Sequence, residues 1–272
     1  MRGLFLELGI DPAWLIKAVF EANLLLLFVV CLVHSLRAHG WQRTVREFVG
    51  GFALTALAES TGVLSGAYVY PGFRFYIFAT PIGNPASWVA LVYILMTISE
   101  RLFFGVKALA NRWSVETASG LWVRGSLPLT LVLLALCDAT LALCIDLALD
   151  PLATVYNWWI WVPCEQAVQT IGPGIVDPYN FDRLVWMTTP DNPIAEFFSR
   201  FWSEGLRYPT RVFGIPLINF IAWLVFVFSF SLQFRWVQSQ ARWSELRRTA
   251  VLWLLILLDW PVMSLLLISP NL

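Results

Sequence analysis

The residues best able to do chemistry in this chain are carboxylates set inside long apolar runs. Glu59, Asp138, Asp146, Asp150 and Asp259 all fall in such runs, and Glu100-Arg101 lies towards the end of another. A charge at bilayer depth is costly and usually functional. No basic residue lies in the body of the runs that hold the first five acids. A carboxyl without a cation in a low dielectric keeps its proton more readily, and a buried carboxylic acid is a proton donor. Asp138, Asp146 and Asp150 are spaced so that, at about 100° per residue, they share one broad face of a helix. Plainer roles also fit some of these residues. Asp150-Pro151 suits a cap that starts the next segment. Glu100 beside Arg101 suits a structural pair, and Asp259-Trp260-Pro261 suits polar groups freed at a proline kink.

A second group of residues surrounds Glu59. Glu59-x-x-Gly62-x-x-x-Gly66-x-Tyr68-x-Tyr70 holds a carboxylate, two glycines and two tyrosines in a fixed string. Gly62-xxx-Gly66 alone is a common helix-packing pattern. The tyrosines alternate at period two, so in extended chain both point one way and form a pocket wall with hydroxyl tips. Trp158, Trp159 and Trp161 cluster beyond the fourth apolar run and suit a headgroup belt.

The elements that must position these groups follow from composition. The chain has 272 residues, of which 58% are hydrophobic and 13% charged, with zero net charge. A soluble domain carries about 25% charge. These values exclude disorder, a nucleic-acid binder and an ordinary cytosolic enzyme, and they indicate a single integral membrane domain over 1–272. Six runs are long enough to span a bilayer, at 13–35, 45–66, 84–107, 127–150, 213–235 and 248–268. The expected fold is an all-α bundle of about six spans, with 151–212 as a polar insertion between the fourth and fifth. The first run reads as a retained helix rather than a signal peptide. No internal repeat is evident.

Loop charge sets the expected orientation. Arg37, Arg43 and Arg46 follow the first run, Arg101, Lys107, Arg112 and Arg124 the third, and Arg235, Arg242, Arg247 and Arg248 the fifth. The positive-inside rule then places both termini outside the cell membrane, with 151–212 extracytoplasmic. Within that insertion, Ile194, Phe197, Phe198, Phe201, Trp202 and Leu206 recur at helical spacing and read as an interfacial helix or a lid. Glu59, Asp146, Asp150 and Asn219 would all lie in the outer half, where one polar cluster is geometrically possible. Cys31, Cys137 and Cys144 read as small apolar residues, Cys164 is likewise isolated, and no metal set is expected. Two histidines, His34 and His39, are too few for a di-iron membrane oxygenase.

Four blocks together resemble the carotenoid biosynthesis membrane protein family. The string Glu59 to Tyr70 is similar to that family's signature. Pro81-Ile-Gly-Asn-Pro85-Ala86-Ser-Trp88 resembles its proline-bracketed entrance to a Trp-containing helix. Asp138, Asp146 and Asp150-Pro151 with Trp159-Ile-Trp161 resemble its aspartate-rich helix and Trp-x-Trp end. Phe213-Gly-Ile-Pro216-Leu-Ile-Asn219-Phe220-Ile-Ala-Trp223 resembles its Gly-Ile/Val-Pro block. The chain departs from the pattern at Val63-Leu64-Ser65, where the family carries a Pro-Phe pair, and in the longer spacing before Phe213.

The resemblance implies a hydratase, akin to bisanhydrobacterioruberin hydratase, that adds water to a terminal double bond of an acyclic carotenoid without a cofactor or metal. Asp146 or Glu59 would be the acid, and Asp138 and Asp150 would hold the acid or the water. Tyr68, Tyr70, Trp88, Trp161, Asn219 and Trp223 would line the substrate site. Two other classes fit parts of the sequence. Asp146-x-x-x-Asp150 could be half of a magnesium–diphosphate site of a membrane prenyltransferase, though the second Asp-rich motif and the basic residues are missing. Alternatively the aromatic content suits a non-catalytic carotenoid or isoprenoid binder, or a membrane-complex subunit that meets a partner through 151–212. A proton-coupled transporter is weaker still, since it would need a repeat.

Overall fold

A computed structural model describes residues 12–65, 67–70, 73, 75–104, 114–116, 122–124, 127–155, 158–161, 197 and 210–266. Six helices make up most of it: α1 Pro12–His39, α2 Trp41–Leu64, α3 Gly83–Phe104, α4 Leu127–Val155, α5 Leu217–Ser239 and α6 Glu245–Leu266. Three antiparallel hairpins join them: β1 (Tyr76–Ile77) with β2 (Thr80–Pro81), β3 (Ser114–Glu116) with β4 (Trp122–Arg124), and β5 (Arg211–Val212) with β6 (Ile215–Pro216). The all-α bundle is as the sequence leads one to expect. Five of the helices are long and apolar enough to cross a membrane, so the chain is a multi-pass membrane protein. The sixth, α2, is as long but carries Arg43, Arg46 and Glu47 in its first two turns. The expected interfacial helix at 194–206 lies outside the described residues apart from Phe197, as do Gly66, Lys107, Arg112 and Cys164.

Two boundaries differ from expectation, each for a local reason. Pro151 does not begin a new segment but sits inside α4, which continues to Val155. A proline removes one backbone donor and crowds the preceding turn, and in a membrane helix neighbouring groups and small local adjustments accommodate that. The fifth span starts at Leu217 rather than 213 because Phe213 and Gly214 take positive φ, 52° and 83°, and turn the β5–β6 hairpin.

Helices α2, α3, α4, α5 and α6 form a closed ring, each packed on the next, and α1 lies outside against α3 and α2. Leu54, Val92, Leu95, Phe226, Phe230, Phe234 and Ile256 fill the middle of the ring. Apolar burial is no driving force between helices in lipid, so close contact must hold them. Gly51 supplies such a contact, since a Cβ there would collide with Val89 and be 3.2 Å from Phe230. One end of the ring is rich in arginine. There Arg46 bonds Glu245 and Gln238, and Arg248 bonds Glu245 at 2.7 Å.

The ring contains a repeat that the sequence reading misses. Glu59 stands nine residues before Tyr68, and Asp150 stands nine before Trp159. Tyr76–Asn84 (YIFATPIGN) and Arg211–Asn219 (RVFGIPLIN) then fold into hairpins of the same register, Tyr76 opposite Pro81 and Arg211 opposite Pro216. Each turn has a phenylalanine at positive φ, Phe78 at 53° and Phe213 at 52°. Each hairpin runs directly into a helix, with Trp88 and Trp223 four residues beyond the asparagine. Counterparts meet across the ring. Val69 and Ile160 form an antiparallel bridge, with N–H···O distances of 3.1 and 3.0 Å. Trp88 stacks on Trp223 with centroids 3.2 Å apart, and Glu100 accepts from Arg235 at 2.5 Å. These three contacts lie at successive depths, so an approximate two-fold axis runs along the helices, relating α2–α3 to α4–α5.

Candidate functional site

At the end opposite the arginines, two loops close the ring. Residues 67–70 and 158–161 are joined by the Val69–Ile160 bridge. Tyr76 donates to the carbonyl of Tyr70 at 2.5 Å, and Arg211 donates to the carbonyl of Trp161 at 3.3 Å. Trp158 stacks on Phe20 of α1, with centroids 3.6 Å apart. Trp158 thus holds the roof to the outer helix, while Trp159 and Trp161 face inwards.

Beneath this roof is a cavity with about 90 Å³ for the centres of water-sized molecules. One water needs about 10–15 Å³ by this measure, so there is room for several waters or for a short branched hydrocarbon end. All five ring helices line it. Among its walls are Glu59, Tyr68, Tyr70, Trp88, Asp150, Trp161, Asn219 and Trp223, eight of the ten expected site residues, drawn from four separate stretches of chain. No Lys or Arg is among the lining residues. The wall from α6, Met263, Ser264 and Leu266, and the lining residues Asn84 and Trp159 are additions to the expected set.

Glu59, 5% exposed, sits in the last turns of α2. Its Oε2 accepts from the Tyr68 hydroxyl at 2.7 Å and from the Tyr70 hydroxyl at 2.5 Å. Both tyrosines therefore point the same way, as their period-two spacing requires. Asn84, in the first turn of α3, donates to the Tyr70 hydroxyl at 2.7 Å. Burial, with Glu59 alongside, pushes the Tyr70 phenol well above its ordinary value, so it stays a donor. Gly62 makes this packing possible: a Cβ there would overlap the Tyr68 hydroxyl and lie 2.6 Å from its Cζ.

The opposite wall carries two aspartates, Asp146 at 2% and Asp150 at 3% exposure. One turn apart on α4, they are bridged by a single amide. The Asn219 Nδ2 donates to Asp146 Oδ2 at 3.1 Å and also to Asp150 Oδ2. Asn219 is placed by the β5–β6 hairpin, which delivers it in the first turn of α5. Asp150 lines the cavity, and Asp146 stands behind it.

Asp138 is not part of this site. Its Oδ2 accepts from Arg235 at 2.9 Å and from Ser231. Arg235 also bonds Glu100 at 2.5 Å and Ser99 at 2.9 Å. The expected grouping of Asp138 with the other carboxylates fails on depth. Twelve residues at 1.5 Å rise put it about 18 Å from Asp150 along α4, though the two share a face. Its cation comes from α5, a different helix, and Arg235 is therefore buried in packing and is no loop charge. Glu100 pairs with this arginine rather than with neighbouring Arg101. Asp259 accepts from Ser229 at 2.8 Å, also away from the cavity.

The cavity thus combines carboxyl groups on opposing walls, amides and phenols that orient them, and indole faces. Acids and bases so placed can move a proton onto and off a bound molecule, and indole faces stabilise developing positive charge. Among the described residues, no three His, Cys, Asp or Glu side chains are placed to hold a metal. The chain matches no protein-family model, no curated protein and no solved structure.

Proposed function

We propose that this protein is a hydratase of an acyclic carotenoid or a closely similar isoprenoid, adding water across a terminal trisubstituted double bond. The observation that carries this reading is the cavity itself, with Glu59 and Asp150 on opposing walls, Trp88, Trp159, Trp161 and Trp223 around them, and no cation among the lining residues. A proton passes to the less substituted alkene carbon, leaving a tertiary carbocation. Indole faces stabilise that cation. Water then attacks it, and a carboxylate takes the water's proton. The apolar chain reaches the site from the bilayer, along the Trp- and Phe-rich helix surfaces. By loop charge the cavity end faces out of the cell membrane, as do both termini.

Expression in cells that accumulate lycopene, followed by mass spectrometry of the extracted pigment, tests the reading. The expected result is a gain of one water per converted chain end. Unchanged pigment beside folded protein contradicts it for lycopene, and unmodified pigment that co-purifies would identify a carrier. The stacked Trp88–Trp223 pair is the feature that would favour such a carrier.

A further inference from the structure

We propose that the two repeated halves of the ring divide the chemistry: Asp150, opposite Glu59 across the cavity, delivers the proton, and Glu59 holds and deprotonates the water. This rests on the hydratase reading and assigns roles within it. Glu59 and Asp150 are counterparts in the repeat, as are Asn84 and Asn219, yet their hydrogen bonds differ. Glu59 has two hydroxyl donors on one oxygen, at 2.7 and 2.5 Å. The proton of Tyr70 is committed to Glu59, because the Tyr70 oxygen already accepts from Asn84 at 2.7 Å. The oxygen that accepts two O–H groups carries no proton itself, and both donors favour the charged carboxylate over the neutral acid.

The aspartate side is provisioned the other way. Asp146 and Asp150 share one amide, and that amide comes from the residue matching Asn84. Two carboxyls one turn apart, with no cation among the cavity's lining residues, cannot both be charged without strong repulsion. The pair holds a proton, and Asp150 is the member that faces the cavity. Where the first half has Tyr68 and Tyr70, the second has Trp159 and Trp161, so the matching positions offer Asp150 no hydroxyl. The differences between counterparts thus turn a near-symmetric pair into an acid and a base.

The step balances as follows. The π electrons of the double bond take the Asp150 proton and form a C–H bond. Water oxygen forms the C–O bond at the tertiary carbon, and its proton passes to Glu59. Transfer of that proton from Glu59 to Asp150 through water restores the site. Asp146, Asn219, Asn84 and Tyr70 are positioning residues.

The test runs the reaction in D2O with an acyclic polyene and compares wild type, Glu59→Gln and Asp150→Asn. Wild type should give alcohol with one carbon-bound deuterium. Both variants should lose alcohol formation by about a hundredfold or more. Glu59→Gln should still protonate the alkene. Its cation then loses a neighbouring proton, so recovered alkene carries deuterium or a shifted double bond. Asp150→Asn should leave the alkene unlabelled. Tyr70→Phe removes one donor to Glu59 while keeping the ring, and should resemble a milder Glu59→Gln. Labelling by Asp150→Asn and not by Glu59→Gln would overturn the assignment. So would hydrating wild type with two folded variants that both leave the alkene unlabelled. Wild type that forms neither alcohol nor a C–D bond would overturn the hydratase reading, and this assignment with it.

Discussion

Removing the arginine that neutralises Asp138 should be one of the most damaging single changes in the bundle, and removing both partners should be little worse. Arg235 is 2% exposed and Asp138 fully buried. Arg235→Leu leaves the Asp138 carboxyl with Ser231 as its remaining donor, and Asp138 Oδ1 already has no partner among the described residues. Stranding one member of a buried pair costs about 3–5 kcal/mol. Asp138→Leu leaves Arg235 bonded to Glu100, Ser99 and the Met96 carbonyl. It should cost less, about 1–3 kcal/mol. The double variant strands neither charge, because Glu100 is partly exposed and can hydrate. Its loss should match that of Arg235→Leu alone, leaving a coupling equal in size to the Asp138→Leu loss, about 1–3 kcal/mol. Unfolding of the purified protein in detergent, by heat and by denaturant, measures all four corners of the cycle. The double variant losing the sum of the two singles would refute the reasoning. Hydration activity adds a separate readout, since Asp138→Asn should retain activity at temperatures where it stays folded.

Three further outcomes follow from the same geometry. Gly62→Ala should destabilise by about 1–3 kcal/mol through collision with Tyr68, and much of that loss should vanish in a Tyr68→Ala background; equal losses in both backgrounds would contradict the packing. Val69→Cys with Ile160→Cys, in a chain otherwise without cysteine, should form a disulfide spontaneously, because a hydrogen-bonded antiparallel pair has Cα atoms about 5.5 Å apart. A gel shift that reverses on reduction reads this directly, and persistent free thiols would contradict the bridge. For orientation, Asp191→Cys should react with an impermeant thiol reagent applied to whole cells, and Gln240→Cys should not; the opposite pattern would invert the topology.

Much of the fold was legible because hydropathy over twenty residues is a strong signal, and five of the six helices are long and apolar enough to cross a membrane. The cavity was legible in part because intramembrane carboxylates are rare enough to name individually. Glu59, Asp146, Asp150, Tyr68, Tyr70 and Asn219 do meet. Asp138 was misplaced because helical phase fixes a face and not a depth, and because its partner Arg235 stands far away in sequence. Asn84 carries no role in the sequence pattern, since the contact that gives it one runs through Tyr70. The repeat is faint in the sequence because apolar residues substitute freely on helix surfaces. What persists is one or two residues per element, Glu59 with Asp150 and Asn84 with Asn219, and the long insertion before Thr210 separates the matching strings. Aligning the hairpins at Pro81 and Pro216 would have exposed it and pointed to Asn84.

Hydration is tested most directly by incubating purified protein with lycopene in H2(18)O and weighing the product. The expected product is a tertiary alcohol bearing one labelled oxygen per converted end, formed without added cofactor and lost in Asp150→Asn. Lycopene recovered unlabelled from folded wild-type protein, in conditions where it demonstrably occupies the cavity, would contradict it.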